Sequence, residues 1–204
     1  MSLPTTDAGV RLQSAMNSQE VDLYSVLLSK ARSVVDFGDS GSTLLAIRHR
    51  VKHIVSVKPN SVTLSTLRQV TQVIEAEKEG RITFVQPDVG KTNAKNKPID
   101  KKRRDDWPLY YSEVWTRIHD MIPDIVFING SFVLASALSA VEHIGPNTQV
   151  IISGGLRGRR IDTLSNFYEL TSSVQNLAVF RPKSTFDREL LYELQASYRF
   201  DRRA

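Results

Sequence analysis

The stretch Ser33-Val-Val-Asp-Phe-Gly-Asp-Ser-Gly-Ser-Thr43 joins a short apolar run to a turn rich in glycine and serine. Four further runs rich in β-branched residues share its character: 53–57, 81–85, 124–128 and 149–152. Segments with helical spacing lie between these runs, at 43–50, 61–78, 110–121 and 132–143. Near-continuous apolar strands that alternate with helices predict a parallel sheet covered on both faces. The predicted fold class is therefore a doubly wound α/β domain.

The regions on either side of this alternation have a different pattern. Two strand-like runs near the C-terminus, 176–180 and 190–200, predict an antiparallel hairpin at the sheet edge. Helical spacing near the N-terminus predicts a helical segment over 8–30. The lysine-rich stretch 87–108 predicts a basic surface loop inserted beside the strand ends. A length of 204 residues suits a single domain spanning 1–204.

The composition excludes several kinds of chemistry. The chain has no cysteine, which excludes disulfides, cysteine-bound zinc, iron–sulfur clusters and thiol nucleophiles. Its four histidines follow no metal-binding spacing, and no Gly-x-Ser-x-Gly motif of a serine hydrolase is present. No run approaches the roughly 18 apolar residues of a membrane span, and no secretory pattern opens the chain. We therefore expect a soluble, intracellular protein whose compartment the sequence leaves open.

The net charge of +5 is concentrated in one segment. Between Lys91 and Arg104 there are seven basic residues and one acidic residue, so this segment alone exceeds the net charge of the whole chain. A smaller basic cluster, Arg157-Gly-Arg-Arg160, follows the fifth strand at the same predicted edge of the sheet. Such clusters are typical of solvated loops and also of contacts with acidic proteins, nucleic acids or anionic lipid headgroups. The candidate partner-binding residues are Lys91, Lys95, Lys97, Lys101, Lys102, Arg103, Arg104, Arg157, Arg159 and Arg160.

Ligands of doubly wound sheets bind beyond the carboxyl ends of the strands, where Gly38 and Gly41 follow the first strand. Glycines at such a turn allow a ligand to approach the backbone, and they also simply permit a tight turn. Their spacing does not distinguish a nucleotide, a dinucleotide and a sulfonium cofactor. Lys58, after the second strand, would suit the 2′-phosphate of a dinucleotide, although the full dinucleotide glycine motif is missing.

A family resemblance separates these alternatives. Asp36-Phe-Gly-Asp-Ser-Gly-Ser-Thr-Leu-Leu45, followed by Ile54-Val-Ser-Val-Lys-Pro-Asn60, resembles the opening of class I S-adenosylmethionine-dependent methyltransferases, especially small bacterial methyltransferase-like proteins. The similarity continues in order through Pro87-Asp-Val-Gly90, the aromatic segment 107–115, the segment 123–132 and Asn176-Leu-Ala-Val-Phe180. It implies a mostly parallel seven-stranded sheet with an antiparallel C-terminal hairpin. The implied cofactor-binding positions are Asp36, Gly38, Ser40, Gly41, Lys58, Asp88 and Asn129.

Three of these positions depart from the family pattern. The family has an acid at the end of the second strand that accepts hydrogen bonds from the cofactor's ribose, and here that residue is Lys58. Lysine has three donors and no acceptor, so it cannot replace the acid. Ser40 stands where the family has the middle glycine, which impedes backbone approach. Asn129 stands in place of the carboxylate nearest the transferred methyl group and is the nearest candidate catalytic residue.

These departures predict that the cofactor site is degraded. Two lost hydrogen bonds to a charged acceptor, at about 1.5–3 kcal/mol each, weaken binding on the order of 100-fold to 10,000-fold. We therefore expect weak or absent S-adenosylmethionine binding, and a non-catalytic binding or structural role that includes membership of a larger complex. The alternative is an active methyltransferase with a rebuilt site and an unknown small-molecule or macromolecular acceptor.

Overall fold

The fold is a single mixed sheet with helices on both faces. The computed structural model describes residues 14–93, 96–118, 121–154 and 159–202, and within these ranges it contains seven strands and eight α-helices. The strands are β1 (Ser33–Phe37), β2 (His53–Val57), β3 (Ile82–Val85), β4 (Ile125–Ile128), β5 (Gln149–Ser153), β6 (Tyr168–Val174) and β7 (Leu177–Pro182). The helices are α1 (Ser18–Leu28), α2 (Ser40–Arg48), α3 (Ser61–Leu67), α4 (Thr71–Lys78), α5 (Leu109–Arg117), α6 (Val133–Ala140), α7 (Arg159–Leu164) and α8 (Arg188–Tyr198).

The strand order is β3-β2-β1-β4-β5-β7-β6, and only β7 runs antiparallel to both of its neighbours. Strand β1 lies between β2 and β4, and all three are parallel. The carboxyl ends of β1, β2 and β4 therefore meet at the centre of one edge of the sheet. The sequence prediction of a doubly wound, mostly parallel sheet with an antiparallel C-terminal hairpin is confirmed.

Apolar side chains form a buried core on each face of this sheet. Four of the first five strands are almost entirely buried along their length, as the continuous apolar runs require. One core lies beneath α5, α6 and α8, and the other lies beneath α1, α2 and α4. None of the helices in the described part of the chain is long and apolar enough to cross a membrane.

The C-terminal hairpin was predicted with one wrong partner. Strand β7 covers the predicted run 176–180, but its hairpin partner is β6, and residues 190–200 fall mainly in helix α8. Asp187 caps helix α8 by accepting hydrogen bonds from two backbone N–H groups. The apolar residues of the helix, Leu190, Leu191 and Leu194, pack on the core at helical spacing. Strand β6 lacks an apolar run because it lies at the sheet edge, where most of its residues are exposed.

Two predicted helices have different limits in the structure. Of the predicted helical segment 8–30, residues 8–13 lie outside the described residues, and helix α1 begins only at Ser18, after an Asn17–Glu20 capping box. The predicted helix 61–78 is two helices, α3 and α4. Leu67 and Val73 are both fully buried in the same core. In one continuous helix these two side chains would point about 120° apart, and the chain breaks between them at Val70, the N-cap of α4.

The predicted basic insertion 87–108 has local structure where it is described. Thr92 and Pro98 form an isolated β-bridge, and a 3₁₀ helix runs over Lys101–Asp106. The Asn60 side chain, next to α3, donates to the Thr92 hydroxyl at 2.8 Å. This hydrogen bond attaches the insertion to the start of α3.

Candidate functional site

The predicted cofactor positions come together where β1, β2 and β4 end. The Asp36 side chain lies at the centre of this edge and is completely buried. One carboxylate oxygen accepts from the Gly38 N–H at 2.7 Å and the Ser42 hydroxyl at 2.9 Å. The other accepts from the Thr43 hydroxyl at 2.5 Å and, more weakly, the Ser56 hydroxyl at 3.4 Å. Donors from the chain itself therefore satisfy both oxygens of Asp36.

Lys58 is also completely buried, and its side chain points into the turn after β1. Its ammonium Nζ donates to the Gly38 carbonyl oxygen at 2.7 Å and lies 3.5 Å from the nearer Asp36 carboxylate oxygen. A buried ammonium is stable only when it is paired and hydrogen-bonded, and this turn provides both kinds of partner. The lysine therefore stabilises the turn from inside and neutralises the charge of Asp36.

Tyr110 provides a second donor at the same turn. This residue of α5 is buried, and its hydroxyl lies 3.4 Å from the Phe37 carbonyl oxygen. The same burial raises the pKa of Tyr110, so its hydroxyl keeps its proton. Gly130, after β4, allows the tyrosine to fit, because a Cβ at that position would lie 2.4 Å from the Tyr110 hydroxyl. The consecutive carbonyls of Phe37 and Gly38 thus both face donors from the protein itself.

Gly38 is required by the packing of its own turn. A Cβ at this position would lie 2.3 Å from the Ser42 hydroxyl and 2.6 Å from an Asp36 carboxylate oxygen. Both distances are far below van der Waals contact, so no other residue fits without moving these partners. The predicted cofactor positions Ser40 and Gly41 are buried in the first turn of α2.

Asp39 connects three parts of this region. It caps α2 by accepting from the Ser42 N–H at 2.9 Å, and its other oxygen accepts from the Ala15 N–H at 2.7 Å. The predicted catalytic candidate Asn129 donates its side-chain N–H to that second oxygen at 3.3 Å. Burial is the main reason that the pKa of Asp39 is raised. The chain just before α1 is therefore hydrogen-bonded across the start of α2.

Asp88 is a predicted cofactor residue that lies outside this hydrogen-bond network. It is exposed and forms an ion pair with Arg103 at 3.0 Å, and that guanidinium lowers the pKa of the Asp88 carboxyl. Arg103, predicted as a partner-binding residue, also pairs with Asp106. The other predicted basic residues differ in accessibility. Lys91, Lys101, Lys102 and Arg104 are exposed, Lys97 and Arg160 are half-buried, Lys95 and Arg157 lie outside the described residues, and only the backbone of Arg159 is described.

A cavity of about 540 Å³ lies between the 3₁₀ helix and the C-terminal residues. Its lining residues are Lys101, Arg104, Trp107, Phe200, Asp201 and Arg202. A second cavity of about 290 Å³ lies at the opposite end of the sheet, near Arg48, Arg50 and Arg81. Neither is lined by Asp36, Gly38, Lys58 or Asn129. Within the described ranges, no group of three or more histidine or acidic side chains is arranged to hold a metal ion.

The sequence predicts Lys58 as a site residue but does not predict the hydroxyl groups that lie around its partner Asp36. The hydroxyls of Ser42, Thr43 and Ser56 surround Asp36, and Ser56 of β2 precedes Lys58, the residue directly after this strand, by two positions. That spacing puts both side chains on one face of β2, which was a usable signal. In the aromatic segment 107–115, the side chains of Trp107, Tyr110 and Trp115 are buried.

The fold is that of class I S-adenosylmethionine-dependent methyltransferases. A methyltransferase-like protein from Silicibacter pomeroyi superposes with a TM-score of 0.78 at 17% identity, covering 94% of this chain and all of that one. A putative caffeoyl-CoA O-methyltransferase from Staphylococcus aureus gives 0.56 at 11% identity, covering 82% and 85% of the two chains. A methyltransferase from Geobacter sulfurreducens gives 0.53 at 15% identity, covering 83% and 81%. No family model and no curated protein matches the sequence.

Proposed function

We propose that this chain is a methyltransferase-fold protein that does not use S-adenosylmethionine and acts as a non-catalytic binding or structural component. The observation that carries this proposal is the buried Lys58 ammonium, bonded to the Gly38 carbonyl and paired with Asp36. The ammonium stands where the resembled family has an acid that accepts hydrogen bonds from the ribose. A donor at this position leaves the ribose hydroxyls without their acceptor.

The energetic cost of admitting the cofactor supports the same conclusion. To free the turn, Lys58 would have to leave both Gly38 and Asp36, and disrupting a buried ion pair costs about 3–5 kcal/mol. A cofactor that binds with micromolar affinity gains only about 8 kcal/mol in total. Losing 3–5 kcal/mol of that gain weakens the affinity by roughly a factor of 100 to 5,000. The site is therefore expected to remain occupied by the protein's own side chains.

The second candidate function is an active methyltransferase with a rebuilt site. It is favoured by Asp88, an exposed carboxylate just beyond β3 at the same edge of the sheet. In this hypothesis Asp36, Gly38, Gly41 and Asp88 would hold the cofactor, and Asn129 would lie beside the transferred methyl group. It requires the Lys58 side chain to move out of the turn when the cofactor binds.

We also propose that the exposed basic residues of the insertion contact an anionic partner. Arg103 is held in separate ion pairs, and the exposed cations among the described residues of this segment are Lys91, Lys101, Lys102 and Arg104. A partner bound through these side chains would lose affinity steeply with added salt. Binding to an anionic protein, RNA or vesicle that stays constant between 50 and 200 mM salt would argue against this contact.

Calorimetry with S-adenosylmethionine and with its demethylated product tests the main proposal. We expect the native chain to show no saturable binding below about 1 mM of either compound, and a dissociation constant of 10 µM or tighter would contradict the proposal. The double variant Lys58→Asp, Asn129→Asp restores the two carboxylates and is expected to gain measurable binding. The matched control is Lys52→Asp, because Lys52 is exposed just before β2 begins. It should bind no better than the native chain.

A further inference from the structure

We propose that the cavity beside the 3₁₀ helix, called here the C-terminal pocket, binds the phosphate monoester of a small organic molecule. The pocket is lined by Lys101, Arg104, Trp107, Phe200, Asp201 and Arg202. Its volume of about 540 Å³ is in the usual range for small-molecule sites and well above that of a single phosphate group. None of its lining residues takes part in the Asp36–Lys58 network, so the proposal is independent of whether S-adenosylmethionine binds.

The charge of the lining matches a dianion. Three cationic side chains and one carboxylate, Asp201, surround the cavity. A phosphate monoester carries a charge of about −1.5 to −2 at neutral pH, because its second pKa is near 6. The three cations exceed the one carboxylate by two charges, and a carboxylate ligand would neutralise only one of these. The acidic side chain also disfavours an extended nucleic acid, whose backbone brings a charge with every nucleotide.

Two guanidinium groups are held in place by aromatic rings. The Arg104 guanidinium carbon lies 4.3 Å from the centre of the Phe200 ring, and that of Arg202 lies 4.5 Å from the centre of the Trp107 ring. Arg202 also donates to the Pro98 carbonyl. Stacking occupies the face of a guanidinium and leaves the in-plane N–H groups at its edge, which form bidentate bonds with phosphate oxygens. Such a pre-positioned pair of donors loses little side-chain entropy when it binds.

The wall of the pocket is apolar and firmly packed, which suits an organic group beyond the phosphate. Trp107 is buried, and its ring lies 6.2 Å from that of Phe132. Phe132 is also buried, and its backbone adopts the left-handed conformation, with φ of 57° and ψ of 42°. That conformation is costly for a bulky residue and persists only where the surrounding packing holds it. The Trp107 wall of the pocket therefore packs against Phe132 at the start of α6.

The test is a titration of the native chain with phenyl phosphate, followed by calorimetry or by NMR of the indole N–H signals. We expect saturable binding that weakens at least tenfold in Arg104→Met and in Arg202→Met. The matched control Lys52→Met, at the opposite end of the sheet, should bind as the native chain does. Equal weakening in all three variants would overturn the proposal, and so would a failure of the native chain to bind at 5 mM.

Further arms of the test use the native chain alone, so they do not depend on the folding of a variant. Affinity for phenyl phosphate should rise between pH 5 and pH 7.5 as the second proton leaves, whereas phenyl sulfate, a monoanion throughout, should bind more weakly and without this rise. Equal affinity for inorganic phosphate would overturn the assignment to an organic monoester. Tighter binding of a single-stranded RNA that competes with phenyl phosphate would make the pocket part of a nucleic-acid interface and would also overturn it.

Discussion

The end of β1 and the C-terminal pocket use cationic side chains in opposite ways. At the end of β1, Lys58 is completely buried, and its ammonium bonds to the turn that the resembled family uses for its cofactor. In the C-terminal pocket, Lys101 and Arg104 are exposed, and Arg104 lies against an aromatic ring beside open space. A buried cation belongs to the fold, whereas an exposed one beside a cavity remains accessible to a ligand. This difference underlies both proposals, that the end of β1 does not take the cofactor and that the C-terminal pocket binds a ligand.

Replacing one cation from each region tests this difference most strongly. Lys58→Met leaves the Asp36 carboxylate buried without its counter-ion, and we expect a loss of about 3 kcal/mol in the free energy of unfolding. Arg104→Met removes an exposed cation and one ring contact, with an expected loss below about 1 kcal/mol. Urea denaturation measures both values. Equal losses in the two variants would remove the distinction between the regions.

Removing the Tyr24 hydroxyl is expected to change the free energy of unfolding less than Lys58→Met does. Tyr24 is fully buried against Phe127, and its hydroxyl has no hydrogen-bond partner among the described residues. Burial, together with the nearby charges of Asp36 and Asp39, raises the pKa of this hydroxyl. We expect Tyr24→Phe to be as stable as the native chain or up to about 1 kcal/mol more stable, because it removes a buried unsatisfied group. Destabilisation by more than 1 kcal/mol would show that the hydroxyl has a partner in solution.

The smallest expected effect is a pH dependence at Asp39. Burial raises the pKa of Asp39 in the folded state, so the folded chain holds this proton more tightly than the unfolded chain does. Stability from this group is therefore present below the unfolded pKa of about 4 and is lost as the pH rises through the raised folded value. The stability of the native chain relative to Asp39→Asn should accordingly fall as the pH rises above about 4. A constant or rising difference in unfolding free energy would contradict the burial of this carboxylate.

The sequence predicted the parts of the fold that depend on continuous apolar runs. All five such runs are strands, and the edge where Asp36, Lys58 and Asn129 meet follows from their parallel order. Strand β6 could not be recognised by the same signal, because an exposed edge strand needs no apolar run. The sequence predicts a strand over 190–200 because its leucines resemble a continuous apolar run, whereas in α8 they form one helix face.

The candidate site was predictable in its residues but not in its contacts. A lysine directly after β2 is visible in the sequence, whereas the bond from its ammonium to the Gly38 carbonyl depends on the path of a flexible side chain through the core. The C-terminal pocket was not predictable at all. It forms from two segments about 100 positions apart, and only the fold brings Arg202 onto Trp107.

The most direct test of the central claim is an amide NMR spectrum of the native chain, recorded with and without 1 mM S-adenosylhomocysteine. The signals of Gly38 and Gly41 report on the turn that Lys58 stabilises. We predict that neither signal moves, because the Lys58 ammonium and the Tyr110 hydroxyl already face the backbone carbonyls at the end of β1. A saturable shift of both glycine signals would show that the cofactor enters this turn, and it would contradict the proposal that the chain does not use S-adenosylmethionine.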